Sequence, residues 1–285
     1  MKLASYQTGG RASYGIVAGD AIFDLGGRFS TQHPTLRSAI AAGLIAGLID
    51  RGAPPAGKPD LRLADVTLLT PITDPEKIVC IGLNYRAHAA EGGFKVPEFP
   101  STFIRTTNTL VPSGQALVRP RHSGDFDYEG ELAIVIGRAG RHIAARDALS
   151  HVLGYTCFND GSVRDYQFKH SLTAGKNHPS TGGLGPWIVT ADEIPDPSRL
   201  TLVTRVNGNE VQCKGTDDMI FDVSAIIAYV SSWTALAPGD VIATGTPEGV
   251  GFARKPPLWL RPGDTVEVEI SSIGVLVNPV VAEAG

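Results

Sequence analysis

Cysteine is scarce in this chain: Cys80, Cys157 and Cys213 are the only three in 285 residues, odd in number and far apart. That excludes a disulfide framework and suits reduced thiols set in apolar stretches, so a cytoplasmic setting is expected. Charge of one sign is equally sparse. With 25 basic and 29 acidic residues the formal net charge is −4, and no run of Lys and Arg forms a stripe able to neutralise several phosphates. Nucleic acid is therefore not an expected partner. Long apolar runs are missing too: the longest uncharged stretch, Val223 to Gly239, is interrupted by three serines, a threonine and a proline. The opening Met1-Lys2-Leu3-Ala4-Ser5-Tyr6 has no apolar signal core, so neither a membrane span nor export is expected. No internal repeat, low-complexity tract or regular βαβ alternation is present, which argues against a doubly wound nucleotide-binding fold.

What is present is a globular composition, 42% hydrophobic and 19% charged, which sets disorder aside. The length suits one large domain with a small appendage. Residues 1–70 read as a small N-terminal α/β unit and linker. Two short strands, Ser13–Val17 and Ala21–Leu25, flank a Gly-containing turn. A helix follows over Pro34–Asp50, with Gly52 just past its end, and then a Pro-rich linker over Ala53–Pro59. From residue 71 to 285, short β-rich segments separated by many of the 33 glycines and 20 prolines predict an α+β, β-dominated domain. Its expected strands cover Lys77–Gly82, Leu132–Gly137, Leu200–Asn207, Asp240–Thr244 and Thr265–Ile270. Its expected helices cover Ala145–Leu153 and Asp222–Trp233, the latter with Val223, Ile226, Ile227, Val230 and Trp233 on one face.

Candidate chemistry begins at Asp127-Tyr-Glu-Gly-Glu131, which runs directly into the apolar segment Leu132–Ile136. Strand alternation puts Glu129 and Glu131 on one face beside a core, where unpaired carboxylates are costly. Either one is protonated, a divalent cation lies between them, or the pair is a solvated edge. Glu267 and Glu269 share the spacing but alternate with Val266, Val268 and Ile270 as on a half-solvated strand, so spacing alone decides nothing. Asp160 ends the apolar segment beginning at Gly154 and reads as an Asx turn or as a third acid for a hard ion. His88 and Glu91 stand three apart, so one helical turn makes them either an oriented base or an incidental exposed pair. Gly92-Gly93 beyond them is hinge-like. Gly175-Lys176-Asn177 lacks the Ser or Thr of a phosphate-binding loop, and Thr244–Gly251 lacks dinucleotide spacing, although its backbone N–H groups suit a carboxylate.

Taken in order, these segments resemble the fumarylacetoacetate hydrolase superfamily over about residues 71–285. The likeness is carried by Ile81–Glu91, Asp127–Leu132, Gly154–Asp160 with Ser162, Arg164, Asp165 and Gln167, then Gly175-Lys176, Gly185–Trp187, Pro238–Pro247 and Gly249–Gly251. The resemblance implies mixed β-sheets rolled into a barrel-like core, a homodimer, and Mg²⁺, Mn²⁺ or Ca²⁺ held by Glu129, Glu131 and Asp160. It also implies a mobile lid bearing His88 and Glu91 as the base, Lys176 reaching the substrate, and Gln167, Gly245 and Thr246 nearby. The expected substrate is a small 2-oxo acid. The expected reaction is hydrolytic C–C cleavage of an acylpyruvate-like 2,4-dioxo acid, with oxaloacetate decarboxylation or 2-oxo-enedioate tautomerisation as the alternative. A metal-stabilised binding protein is the non-enzymatic one. Arg105, where many relatives carry Lys, and Asn177-His178-Pro179 depart from the common pattern and are expected at the pocket, where they bear on substrate identity.

Overall fold

The computed structural model describes residues 1–52 and 57–285. Of the linker expected over Ala53–Pro59, the first four residues lie outside the described ones. The chain is strand-dominated, with a twelve-stranded mixed sheet and a five-stranded sheet. At the centre of the large sheet lies Gly130–Ile136, buried on both faces. It pairs antiparallel with Val152–Asn159 on one side and with Val241–Ala243 on the other. Val241–Ala243 runs parallel to Ile78–Gly82, which pairs in turn with Ser101–Arg105. The helix Val223–Trp233, capped by the Asp222 carboxylate on the Ala225 N–H at 2.7 Å, lays Val223, Ile226, Ile227 and Val230 into the main core. Trp233, expected on that face, ends the helix and is half-exposed.

This topology places the site. Ile78–Gly82 and Val241–Ala243 both finish at one edge of the sheet, Val152–Asn159 finishes there too, and Gly130–Ile136 begins there. Four separate stretches therefore deliver Leu83, Thr244–Thr246, Glu129–Glu131 and Asp160 to one place. The smaller sheet packs Val268 and Leu276 into the core that holds Val79 and Ile134. Glu267 and Glu269 sit half-buried on its Thr265–Ile270 strand, alternating with buried valines as the sequence suggested.

The first seventy residues add strands Lys2–Thr8, Arg11–Ala18 and Ala21–Asp24 to the same large sheet, Leu3 lying opposite Ile188. Their Leu3, Tyr14 and Leu36 share a core with Val135, Leu153 and Ile188. Two expected helices differ from what is found. Pro34–Asp50 divides into Leu36–Ala41 and Leu44–Ile49 at Gly43, whose φ of 76° is a left-handed conformation that ends a helix readily at glycine. Ala145–Leu153 is a 3₁₀ segment, Ala145–His151, giving way to a strand at Val152. There the ladder to Ile136 outcompetes the modest helical propensity of an isolated turn. Cys80 and Cys157 are buried free thiols, whereas Cys213 is exposed on Asn209–Gly215.

Candidate metal centre and active-site cavity

Glu129, Glu131 and Asp160 are all buried, and one carboxylate oxygen from each falls within 4.8 Å of the others. Pairing of Gly130 with Asn159 sets this convergence, because it brings Asp160 beside the turn that carries Glu129. The Asp160 N–H donates to the Glu129 carbonyl at 2.8 Å, and the Glu129 N–H to the Asn159 side-chain oxygen at 3.0 Å. Gly130 is required between the two glutamates, since a Cβ there would collide with the Thr204 hydroxyl.

The charges around this cluster are nearly balanced. Lys176 donates to Glu129 Oε2 at 2.5 Å, Asp160 Oδ2 at 2.7 Å and the Asp160 carbonyl at 2.8 Å. Arg164 bridges Glu129 Oε1 at 2.6 Å and Asp127 Oδ2 at 2.8 Å, and its guanidinium lies over the Phe252 ring. Arg105 Nη1 donates to Asp160 Oδ1 at 2.6 Å. Four buried carboxylates thus face three buried cations, and Glu131 is the one left without a cationic partner among the described residues. It accepts one bond from the Gly245 N–H at 2.8 Å.

The proton affinities follow from these contacts. Burial opposes ionisation of Glu129, yet Lys176 and Arg164 outweigh it and hold the carboxyl at about 2. Burial, joined by the negative charges of Asp160 and Glu129, pushes Glu131 well above the usual carboxylate range. Burial disfavours the charged Lys176, but Asp160 and Glu129 prevail and raise it. A buried all-oxygen trio with one uncompensated member fits a hard divalent cation and offers no soft ligand for zinc.

Beyond the trio a cavity of about 260 Å³ opens, lined by His88, Glu129, Glu131, Asp160, Arg164, Gln167, Lys176 and Thr246 and walled by apolar side chains. His88 lies on the helix Arg86–Glu91, and its Nδ1 contacts Glu91 Oε1 at 2.9 Å. With Glu91 ionised, this bond assigns the proton to Nδ1 and leaves Nε2 as the free acceptor. Glu91 Oε2 also accepts from the Gly249 N–H at 2.9 Å, so the helix is latched onto the loop that follows Val241–Ala243. Leu83, at φ 57°, turns the chain from strand to helix, and Asn84 fixes the corner through the Thr244 carbonyl at 2.7 Å and Phe221.

Most residues singled out in the sequence meet at this cavity, and their contacts refine the roles expected of them. Thr246 is tied to the Gly130 carbonyl at 2.9 Å and to Gln212 at 2.8 Å, while Gln167 accepts from Arg164 at 2.9 Å. Gly245 sits just behind, at φ 98°, where its N–H reaches Glu131. Lys176 lines the cavity, but its three protons are held by Glu129 and Asp160. Arg105 does not face the cavity: it is locked behind Asp160 by Thr109, Gly161 and Thr181. Asn177 and His178 also lie off it, Asn177 bonded to Thr106 and Ile104, and His178 against His122. Sequence reasoning placed Arg164 in the matched motif after Asp160 but gave it no role at the site, which its pairing with Glu129 and Asp127 supplies. That reasoning missed the aromatic wall of Phe94, Phe103, Phe168 and Phe252, which no local pattern marks.

Comparison with known proteins agrees with this geometry. The family model described as fumarylacetoacetate (FAA) hydrolase C-terminal matches residues 77–281. The human protein named oxaloacetate tautomerase FAHD2A, mitochondrial, is 40% identical over 266 residues, covering 92% of this chain and 85% of its own. Among solved structures, 5-carboxymethyl-2-hydroxymuconate delta-isomerase from Mycobacterium smegmatis superposes with a TM-score of 0.79 at 33% identity, over 99% of this chain and 100% of that one. Maleylpyruvate hydrolase from Sphingobium sp. SYK-6, in complex with manganese(II) and pyruvate, gives 0.79 at 30% identity over the full length of both.

Proposed function

Because this chain belongs to the fumarylacetoacetate hydrolase family and is an enzyme acting on ketonic substrates, we propose that it catalyses keto–enol tautomerisation of a short 2-oxo acid, with oxaloacetate as the reference substrate. The observation that carries the reading is the His88–Glu91 pair facing three converging carboxylates across one cavity. The name of the human relative supports the choice of reaction. Glu129, Glu131 and Asp160 would hold the divalent ion, Mg²⁺ or Mn²⁺, which when bound supplies Lewis acidity at the carboxylate and 2-oxo oxygens of the substrate.

The residues of the chain account for the rest. His88 Nε2 takes a proton from C3 in the enolising direction and returns it in the other, while Glu91 stabilises the imidazolium formed between the two. Lys176 and Arg164 hold Glu129 ionised, Lys176 also tethers Asp160, and phenylalanines wall the cavity around them. Hydrolytic cleavage, the reaction first expected, requires in addition a water placed against the distal carbonyl, and tautomerisation does not.

The test follows enol absorbance of oxaloacetate and of an acylpyruvate with saturating Mg²⁺. Faster enol decay of oxaloacetate without pyruvate release is expected. His88→Ala should lower it by about 10²–10⁴-fold while metal-dependent thermal stabilisation persists. Pyruvate release from the acylpyruvate with no effect on oxaloacetate enol would replace this reading with the hydrolytic one.

A further inference from the structure

The far side of the cavity is built for an uncharged group. Among the described residues lining it, the basic side chains are His88, Arg164 and Lys176. The last two are already committed to Glu129, Asp127 and Asp160 at 2.8 Å or less. A second carboxylate on the substrate, such as oxaloacetate carries, would find no free cation there, so it adds no binding and makes oxaloacetate the poorer of two otherwise equal substrates. What the wall offers is Phe94, Phe168 and Phe252. Phe168 meets Phe252 edge to face at 5.4 Å between centroids, and Phe252 is held by Arg164 at 4.5 Å. Phe168 and Phe94 line the cavity and remain 53% and 43% exposed. An aromatic group on the substrate would find uncovered aromatic surface on both to pack against.

We infer that the enzyme accepts 2-oxo acids whose C3 carries an aryl or bulky apolar group, phenylpyruvate being the simplest. This rests on the tautomerase reading for its chemistry. In the ketonising direction the enol O–H and the C2=C3 π bond break, a C3–H bond and the C2=O bond form, one proton enters as one leaves, and no oxidant or reductant is needed.

The experiment uses the full chain with saturating Mg²⁺ and measures kcat/KM for the enols of phenylpyruvate and oxaloacetate, with calorimetric binding of both keto acids alongside. Phenylpyruvate should be preferred by about tenfold or more, and Phe168→Ala should lower that preference by about tenfold, chiefly through KM, with Phe168→Tyr restoring it. Phe94→Ala should act in the same direction. Turnover of oxaloacetate but not phenylpyruvate, or a preference that neither substitution moves, would overturn the inference. If neither enol reacts, the tautomerase reading fails, and binding then decides the wall separately: tighter phenylpyruvate supports it and tighter oxaloacetate refutes it.

Discussion

Removing or adding the divalent ion should move one proton, and the structure says which. Of the buried carboxylates around the centre, Asp127, Glu129 and Asp160 each hold a cationic partner, and Glu131 holds none among the described residues. Burial and the charges of Asp160 and Glu129 raise its pKa well above the ordinary value, so without the ion Glu131 keeps its proton where a free glutamate would lose it. A cation must displace that proton. Between the ordinary glutamate value of about 4.3 and the raised one, metal affinity should climb tenfold per pH unit, about 1.4 kcal/mol, and flatten above it. Glu129, already held at about 2 by Lys176 and Arg164, adds no slope in that range. The sign for stability follows the same way. A raised folded-state pKa contributes stability that is full below the ordinary value and lost as pH rises through the raised one, so the ion-free protein should weaken with rising pH and the loaded protein should not. Titration calorimetry of Mg²⁺ in buffers of differing ionisation enthalpy counts the proton directly. One proton released per ion is expected, and Glu131→Gln should abolish both the release and the pH slope. Affinity independent of pH from about 5 upward, with no proton released, would refute the charge accounting.

Two further substitutions test the scaffold that holds the trio. Gly245→Ala places a Cβ against Asn84 at a φ of 98°, and should cost about 1–3 kcal/mol in urea unfolding while weakening Mg²⁺ binding through the lost Glu131 contact; an unchanged midpoint would show that the loop relaxes freely. Arg105→Met breaks a wholly buried pair with Asp160 and should destabilise by about 3–5 kcal/mol, with Mg²⁺ affinity altered because Asp160 loses its tether; a change below about 1 kcal/mol would make Arg105 dispensable.

Local chemistry was legible in the residues themselves. The run from Glu129 into an apolar strand marked carboxylates at a core boundary, the i, i+3 spacing of His88 and Glu91 marked a contact of one helical turn, and alternation at Glu267 and Glu269 marked a solvated strand. The ordered set of motifs identified the family and its β-dominated fold. Each of these depends on neighbours within a few positions, which periodicity records. Lys2–Thr8 escaped notice because its Ala4-Ser5 centre is neither β-branched nor alternating, and pairing with Gly182–Thr190 and Arg11–Ala18 is what buries it.

Partner choice across long separations was left to the folded chain. Arg105 and Arg164 look alike as arginines. Yet one is locked behind Asp160, 55 residues away, and the other lines the cavity against Glu129, 35 residues away. The same holds for the phenylalanines, Phe94 and Phe103 joined by Phe168 and Phe252 in one wall, and for Glu131, whose isolation among the described residues exists only once its neighbours have paired with Lys176, Arg164 and Arg105. By itself the sequence picked out the carboxylates that converge as a possible hard-ion site and the imidazole proposed to move a proton. Tertiary structure alone decided which charges cancel and what faces the substrate, because pairing and burial at distances set by the sheet are energies that no short stretch of residues contains.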